Sequence, residues 1–267
     1  MEWLFEPFTC QVCTFMRSAL VAGLVTVVVT SVVGTWVVLR GMSFMGDALA
    51  HGILPGLTFA HLRGFNLGLG AAAAAGVMIA GLNIVHRRAR LTEDAGIGLL
   101  FVGMLALGVL IASKAQSFAG DLTAILFGDV LGVTTSDIRT ASLAAVAVMA
   151  ASALLYRPLL TLAFDRRKAE ALGMRPDLAH AAMLVLLAVA IISSFRAVGT
   201  LLVFSFLVAP PATAALIVRR VPAMMIVATV FGALAVVAGL LLSFHLGTAG
   251  SATMAGLAVV EFFVTLA

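Results

Sequence analysis

Asp47 and His51 lie four residues apart in an otherwise apolar stretch, Arg40 to Gly56, which reads RGMSFMGDALAHGILPG. On a helix, residues i and i+4 share one face, so the carboxylate and the imidazole point in the same direction. An ionisable side chain near the middle of a bilayer costs at least about 2.5 kcal/mol on insertion scales, and such groups usually line a polar cavity or a substrate path. The spacing therefore marks this segment as a candidate functional site.

A carboxylate oxygen and an imidazole nitrogen together suit borderline divalent metals such as zinc, manganese and iron(II). Two ligands are too few for tight coordination, but a second copy of the chain across a two-fold axis would bring the set to two Asp47 and two His51 side chains. Weak coordination suits a path, because an ion that is held too firmly does not leave. The alternative is structural: an intrahelical hydrogen bond that hides both groups from lipid.

The composition of the chain excludes a water-soluble globule. Of its 267 residues, 63% are hydrophobic and 10% are charged, and the mean hydropathy is +1.18. Apolar runs of the roughly 20 residues that a membrane helix needs recur along the whole length, whereas the alternating pattern of an outer-membrane barrel is missing. The sequence predicts an all-α, polytopic transmembrane helical bundle that forms one domain over residues 1–267.

The apolar runs predict nine spans after an interfacial segment at 1–17, and an eight-span arrangement is the alternative. The predicted spans are 18–39, 44–61, 66–86, 95–113, 139–156, 178–195, 198–218, 222–243 and 250–266. The piece from Phe118 to Gly132 is short and acidic, which predicts a re-entrant or interfacial turn. Cys10 and Cys13 form a CxxC that we interpret as incidental thiols or a local disulfide, because a zinc site needs two more ligands; a metal or redox role is the alternative.

The distribution of Lys and Arg predicts the orientation, since short cytoplasmic loops carry an excess of both. Placing the loops near residues 40, 87–90, 157–175 and 219–220 in the cytoplasm puts eleven of the sixteen basic residues inside. The N-terminus is then external and, with nine spans, the C-terminus is internal. The net charge of +4 is thereby explained by topology, with no nucleic-acid partner.

The longest of these loops, 157–177, contains a predicted short helix from Asp165 to Leu172. Asp165 is an N-capping residue type and Gly173 follows the helix as a stop signal. The residues between them are charged or helix-forming: Arg166, Arg167, Lys168, Ala169 and Glu170. Such a helix on the inner face suits docking to a soluble partner, and a solvated loop that only fixes topology is the alternative.

Two further features interrupt the apolar spans. Pro210 and Pro211 each remove a helical hydrogen bond, which predicts a kink or break that is either structural or a moving gate. Glu261 lies inside the last apolar run, where its carboxylate is expected to reach the cytoplasmic interface. Neither feature assembles a catalytic site.

Enzyme motifs are absent from the sequence. There is no HExxH, no GxSxG and no Walker A loop, so a zincin, a nucleophile elbow and a nucleotide-binding loop are all missing. An intramembrane hydrolase built on Asp47 and His51 would need a third ligand and a general base. The sequence therefore favours transport, without chemistry on the substrate and without a permanently bound cofactor.

The Arg40 to Gly56 stretch resembles the signature of the integral membrane permeases of metal-ion ABC importers, which take up zinc, manganese or iron(II). Three further motifs are similar in order and position, and with the first they extend the resemblance from Arg40 to Ile217. They are LFGDVLGVTTSD at 126–137, FDRRKAEALGM at 164–174 and VGTLLVFSFLVAPPATAALI at 198–217. The resemblance implies the fold that the cobalamin and siderophore permeases share.

The resemblance also implies partners and site roles. It implies a permease dimer in the bacterial cytoplasmic membrane, bound to two cytoplasmic ABC ATPase subunits and supplied by an external metal-binding protein. Asp47 and His51 match the residues implicated in metal passage, and Asp165 to Gly173 matches the coupling helix that docks into the ATPase. ATP hydrolysis on the partner would drive alternating access. A permease for a metal chelate and a secondary metal carrier are the alternatives.

Overall fold

The computed structural model describes residues 14–88, 92–113 and 132–267, and throughout these ranges the regular structure is helical, without strands. Cys10, Cys13 and nearly all of the predicted turn at 118–132 lie outside the described residues. The helices are α1 (Thr14–Leu39), α2 (Ser43–Gly52), α3 (Leu54–Arg63), α4 (Leu67–Arg88), α5 (Glu93–Ala112), α6 (Thr135–Leu154), α7 (Tyr156–Phe164), α8 (Arg166–Ala171), α9 (Pro176–Ile217), α10 (Val221–Leu246) and α11 (Gly250–Leu266).

Seven helical segments among the described residues are long and apolar enough to cross a membrane: α1, α4, α5, α6, α10 and the two halves of α9. The other two predicted spans also form helices. The 44–61 span is divided at Ile53 into α2 and α3, and the last span forms the 17-residue α11. The predicted multi-pass helical bundle is thus confirmed.

Helix α9 reverses direction at Gly199. A straight helix of its 42 residues would be about 63 Å long, twice the thickness of a bilayer core. Gly199 has φ 78° and ψ 161°, a conformation open mainly to glycine. His180 near the start of α9 and Ala214 near its end both contact the C-terminal end of α1, through Arg40 and Leu39 respectively. The two halves therefore form a hairpin across the bundle.

Helices α1 and α9 form the centre of the bundle, whereas α5 and α6 lie at its periphery. Two thirds of the apolar window of α1 is buried, compared with 22% for α6. Large side chains such as Leu143 and Leu154 are exposed on α6. An apolar surface of this kind is expected where lipid replaces protein as the neighbour. We call the end of the bundle that carries the C-terminus of α1 the Arg40 end.

The backbone stays helical through Pro210 and Pro211. The kink expected at the two prolines, whether structural or a moving gate, stays a prediction. Pro211 has no N–H, so the carbonyl of Leu207 lacks its usual helical donor. Gly34 of α1 packs directly against that carbonyl and the Pro211 ring, and a Cβ at Gly34 would overlap both.

We predict that Gly34→Ala lowers the free energy of unfolding by about 1–3 kcal/mol, because the added methyl group overpacks a rigid backbone contact. Thermal unfolding in detergent micelles measures the change. Gly103→Ala is the matched control, since a Cβ at Gly103 has no neighbour within 4 Å. Equal stability of the two variants would show that α1 and α9 can separate here without cost.

Candidate functional site

Helix α2 holds the site and begins directly after a tight turn at the end of α1. Gly41 has φ 66°, and the backbone N–H groups of Gly41 and Met42 donate to the carbonyls of Val38 and Val37 at 3.0 Å each. These bonds fix the start of α2 to the last turn of α1. One side of α2, including Met45 and Leu49, is fully buried.

Asp47 and His51 lie on one side of α2, away from Met45 and Leu49. Their side chains are 30% and 26% exposed, and His51 Nε2 lies 3.4 Å from Asp47 Oδ1. The predicted i, i+4 arrangement on one helical face is therefore present. The separation is longer than a good hydrogen bond, so the two groups face each other and a third group can still approach both.

One phenyl ring contacts the imidazole of the pair, and a second phenyl ring contacts the first. Phe101 of α5 makes edge-to-face contacts with His51 and with Phe44, both at 5.8 Å between ring centroids. Phe44, Asp47 and His51 occupy positions i, i+3 and i+7 of α2 and so lie along one side of it. Phe101 thereby restricts the orientation of the His51 ring.

The end of α2 adds a favourable electrostatic field for a cation. The helix ends at Gly52, one residue after His51, and α3 begins at Leu54 with Pro55 in its first turn. Pro55 has no N–H and cannot donate to the His51 carbonyl, which instead accepts the backbone N–H of the C-cap residue Ile53. Carbonyls at a helix C-terminus carry partial negative charge, which favours cations.

The described residues of one chain offer an incomplete ligand set. Among the described residues no group of three or more His, Cys, Asp or Glu side chains could hold a metal ion. Asp47 and His51 supply one oxygen and one nitrogen donor, which suits transient contact with a divalent transition metal better than a closed structural site.

The predicted short helix in the longest loop is confirmed as α8 at the Arg40 end. Asp165 caps it by accepting hydrogen bonds from the backbone N–H groups of Arg167 and Lys168, at 2.8 and 3.1 Å. Gly173 follows with φ 71°. Arg167, Lys168 and Glu170 are exposed, whereas Ala169 is buried. Phe164 and Leu172 flank α8 with exposed fractions of 72% and 60%.

A cavity of about 430 Å³ lies at the opposite end of the bundle. Its polar lining includes Asn66, Ser136 and Asp137. Asn66 Oδ1 accepts the backbone N–H of Gly68 at 2.8 Å, and Asp137 forms a capping box with Thr134 at the start of α6. Asn66 and Asp137 are thus used in capping the starts of helices, and the described lining of the cavity holds no cluster of metal-ligating side chains.

Two other polar side chains of the spans stand apart from Asp47 and His51. Glu261 Oε2 is buried without a hydrogen-bond partner among the described residues, and its predicted reach to the interface stays a prediction. His61 is exposed at the far end of α3.

The sequence pattern did not predict the contacts that Phe101 and His180 make in the folded bundle. Phe101 lies in a uniformly apolar run, and its contact with His51 arises only in the folded bundle. The position of Phe44 beside the pair was predictable from the sequence, because Phe44 precedes Asp47 by three residues on the same helical face. His180 Nδ1 lies 2.8 Å from Arg40 Nη1, a pairing of residues far apart in sequence.

Comparison with known proteins identifies related membrane proteins over nearly the whole chain. The manganese transport system membrane protein MntC of Listeria monocytogenes is 35% identical over 251 residues, which cover 94% of this chain and 89% of that protein. The chelated iron transport system membrane protein YfeD of Yersinia pestis is 33% identical over 261 residues, which cover 98% of this chain and 86% of that protein.

A solved structure shares the fold. PsaBC from Streptococcus pneumoniae in complex with Fab aligns with a TM-score of 0.87 and 28% sequence identity, over 100% of this chain and 95% of that chain. The sequence also matches the ABC 3 transport family over residues 12–267. The chain therefore belongs to the ABC 3 transport family, and the family indicated by its first motif is confirmed.

Proposed function

We propose that the chain is the permease subunit of an ABC importer that passes manganese, zinc or iron(II) into the cytoplasm by alternating access. The observation that carries the proposal is the Asp47 and His51 pair, 3.4 Å apart on a partly exposed face of α2, in a chain of the ABC 3 transport family. Relatives named for manganese and for chelated iron support a transition metal as the substrate.

A second copy of the chain would complete the ligand set. Two α2 helices facing each other across a two-fold axis present two carboxylates and two imidazoles, which is enough for four-coordination. A groove of about 490 Å³ between the second half of α9 and α11 suits such an approach, since small residues including Ala209, Ala252 and Ala255 line it. Phe204 of this groove also lies beside Gly46, next to Asp47.

The charge distribution supports an orientation with the Arg40 end in the cytoplasm. The Arg40 turn, the α7–α8 loop and Arg219–Arg220 all lie at this end, and with the 87–90 segment of the sequence they hold eleven of the sixteen basic residues. The N-terminus is then external, and the membrane is the bacterial cytoplasmic membrane. A metal-binding protein on the outer side would supply the ion to the opposite end of the bundle.

Helix α8 is the proposed docking site for a cytoplasmic ABC ATPase, with one ATPase subunit for each copy of the permease. It combines exposed charge at Arg167 and Lys168 with the exposed apolar side chains Phe164 and Leu172. Apolar residues outside the spans that are bordered by charges are typical of a protein interface. ATP hydrolysis is assigned to the partner, and the permease itself needs no cofactor.

We predict that Asp47→Ala and His51→Ala each reduce metal accumulation about 10-fold or more, since even supporting residues of metal sites cost about 10–100-fold when replaced. Uptake of manganese, zinc and iron(II) is measured in cells that carry equal amounts of each variant in the membrane. His61→Ala is the matched control, because His61 is an exposed histidine at the far end of the same span. Unchanged uptake in both variants would contradict the metal-path assignment.

Phe101→Ala is expected to raise the metal concentration for half-maximal uptake by about two- to ten-fold, which corresponds to losing aromatic contacts worth about 0.5–1.5 kcal/mol. The physical reason is that the His51 ring loses the contact that orients it. Initial rates over a range of manganese concentrations measure the shift. Leu107→Ala, an exposed position on the same helix, should leave the curve unchanged; an equal shift there would remove the special role of Phe101.

Ala169→Pro is expected to uncouple the ATPase, because Ala169 donates a backbone hydrogen bond to Asp165 inside α8 and proline removes it. Reversing the charges of Arg166, Arg167 and Lys168 should have the same effect without breaking the helix. Co-purification of the ATPase and metal-stimulated ATP hydrolysis measure docking. Arg219→Glu, at an exposed arginine of another loop at this end, is the control. Intact docking in the Ala169→Pro protein would reduce α8 to a topological loop.

A further inference from the structure

Arg40 and His180 form a polar contact between two segments that are distant in sequence. Arg40 Nη1 lies 2.8 Å from His180 Nδ1, and both side chains are partly buried. A guanidinium group has donors only, so Arg40 donates and His180 Nδ1 accepts, with the imidazole proton on Nε2. A hydrogen bond from a charged donor is about twice as strong as a neutral one.

The position of this bond links the α2 helix, which carries Asp47 and His51, to α9, the helix after α8. Arg40 follows the last residue of α1 and precedes α2, whose start is hydrogen-bonded back to α1 through Gly41 and Met42. His180 lies in the second turn of α9, the helix that follows α8 along the chain. Arg40 thus lies just before α2, the helix that carries Asp47, and contacts α9, the first helix after α8.

The same turn of α1 is also held by the helices that precede α8. The Trp36 indole N–H donates to Ser152 Oγ at 3.1 Å, and the Trp36 ring packs edge-to-face on Tyr156 at 5.7 Å. Ser152 belongs to α6 and Tyr156 begins α7. Trp36 is only 1% exposed and closely packed, so a shift of α6 or α7 displaces α1 as well.

We propose that the last turn of α1 together with Arg40, residues Trp36 to Arg40, transmits movement of α8 to Asp47 and His51, with the Arg40–His180 hydrogen bond as its polar contact to α9. This inference rests on the proposed function, because it requires both the metal path and ATPase docking at α8. Trp36 is moved by α6 and α7, which precede α8, and Arg40 is moved by α9, which follows α8. Arg40 and His180 are positioning residues, since neither contacts the metal pair. A contiguous set of packed and hydrogen-bonded groups is the physical requirement for such coupling.

The test uses the complete transporter reconstituted in lipid vesicles, with its ATPase and its external binding protein. Radiolabelled manganese uptake and ATP hydrolysis are measured in the same vesicles for Arg40→Gln and for His180→Phe. Each variant is expected to lower the number of ions moved per ATP by about five-fold or more, the lower range of coupling between distant sites. The rate of ATP hydrolysis should stay at the wild-type value, whereas the thermal unfolding midpoint is expected to fall slightly because one hydrogen bond is lost.

Two further variants test the bond itself. The double variant Arg40→Gln/His180→Phe should be no worse than either single one, because residues that act through one shared contact are not additive. His180→Gln, which keeps an acceptor oxygen, should restore most of the coupling. Arg220→Gln is the control for loss of charge at the same end, since Arg220 is exposed.

The outcomes separate this inference from the proposed function. An unchanged ratio of ions to ATP in both single variants overturns the inference. A parallel fall of uptake, ATP hydrolysis and unfolding midpoint also overturns it, because the bond would then serve stability alone. Failure of the wild-type complex to move manganese, zinc or iron(II) would instead overturn the proposed function, and that result appears before any variant is compared.

Discussion

The apolar interior of a membrane leaves backbone N–H and C=O groups no partner except the chain itself, and this constraint governs the structure. It makes helices of the apolar segments, and interruptions are tolerated only where protein surrounds the backbone. The exposed turn at Gly41 lies at the end of α1, where its backbone is hydrogen-bonded to that helix, and Gly199 inside the bundle is buried. The division at Ile53 follows His51 by two residues, and Ile53 is also fully buried. The proposed functional groups therefore lie beside the places where regular helix stops.

The same constraint explains why Asp47 and His51 face each other across 3.4 Å. Two isolated ionisable groups in this environment would be costly, and mutual contact offsets part of that cost. The structural interpretation of the pair and its interpretation as a metal path are therefore compatible. Without metal the groups contact each other, and their exposed fractions leave both accessible to an arriving ion. A complete ligand set within one chain would be harder to vacate during transport.

The sequence predicted the features that depend on local pattern. Hydropathy predicted the helical bundle and its apolar segments, the Asp47 and His51 spacing predicted a shared face, and Asp165 with Gly173 predicted α8. Local pattern did not predict the features that depend on packing between distant segments. The helix continues through the proline pair, where Gly34 packs against the carbonyl of Leu207, and the reversal lies at Gly199. Phe101 and His180 could not be predicted, since contacts between distant segments leave no periodicity in the sequence.

The distribution of rigidity in the bundle bears on how a docked ATPase could act on the site. Helices α5 and α6 present much of their surface to lipid, whereas α1 is enclosed by protein along most of its length. A close-packed helix moves as a unit rather than deforming locally. Because the start of α2 is bonded to the end of α1, a displacement of that end must move Asp47 with it. Asp47 and His51 thus lie close along the chain to the Arg40 end, where the proposed ATPase docking would act.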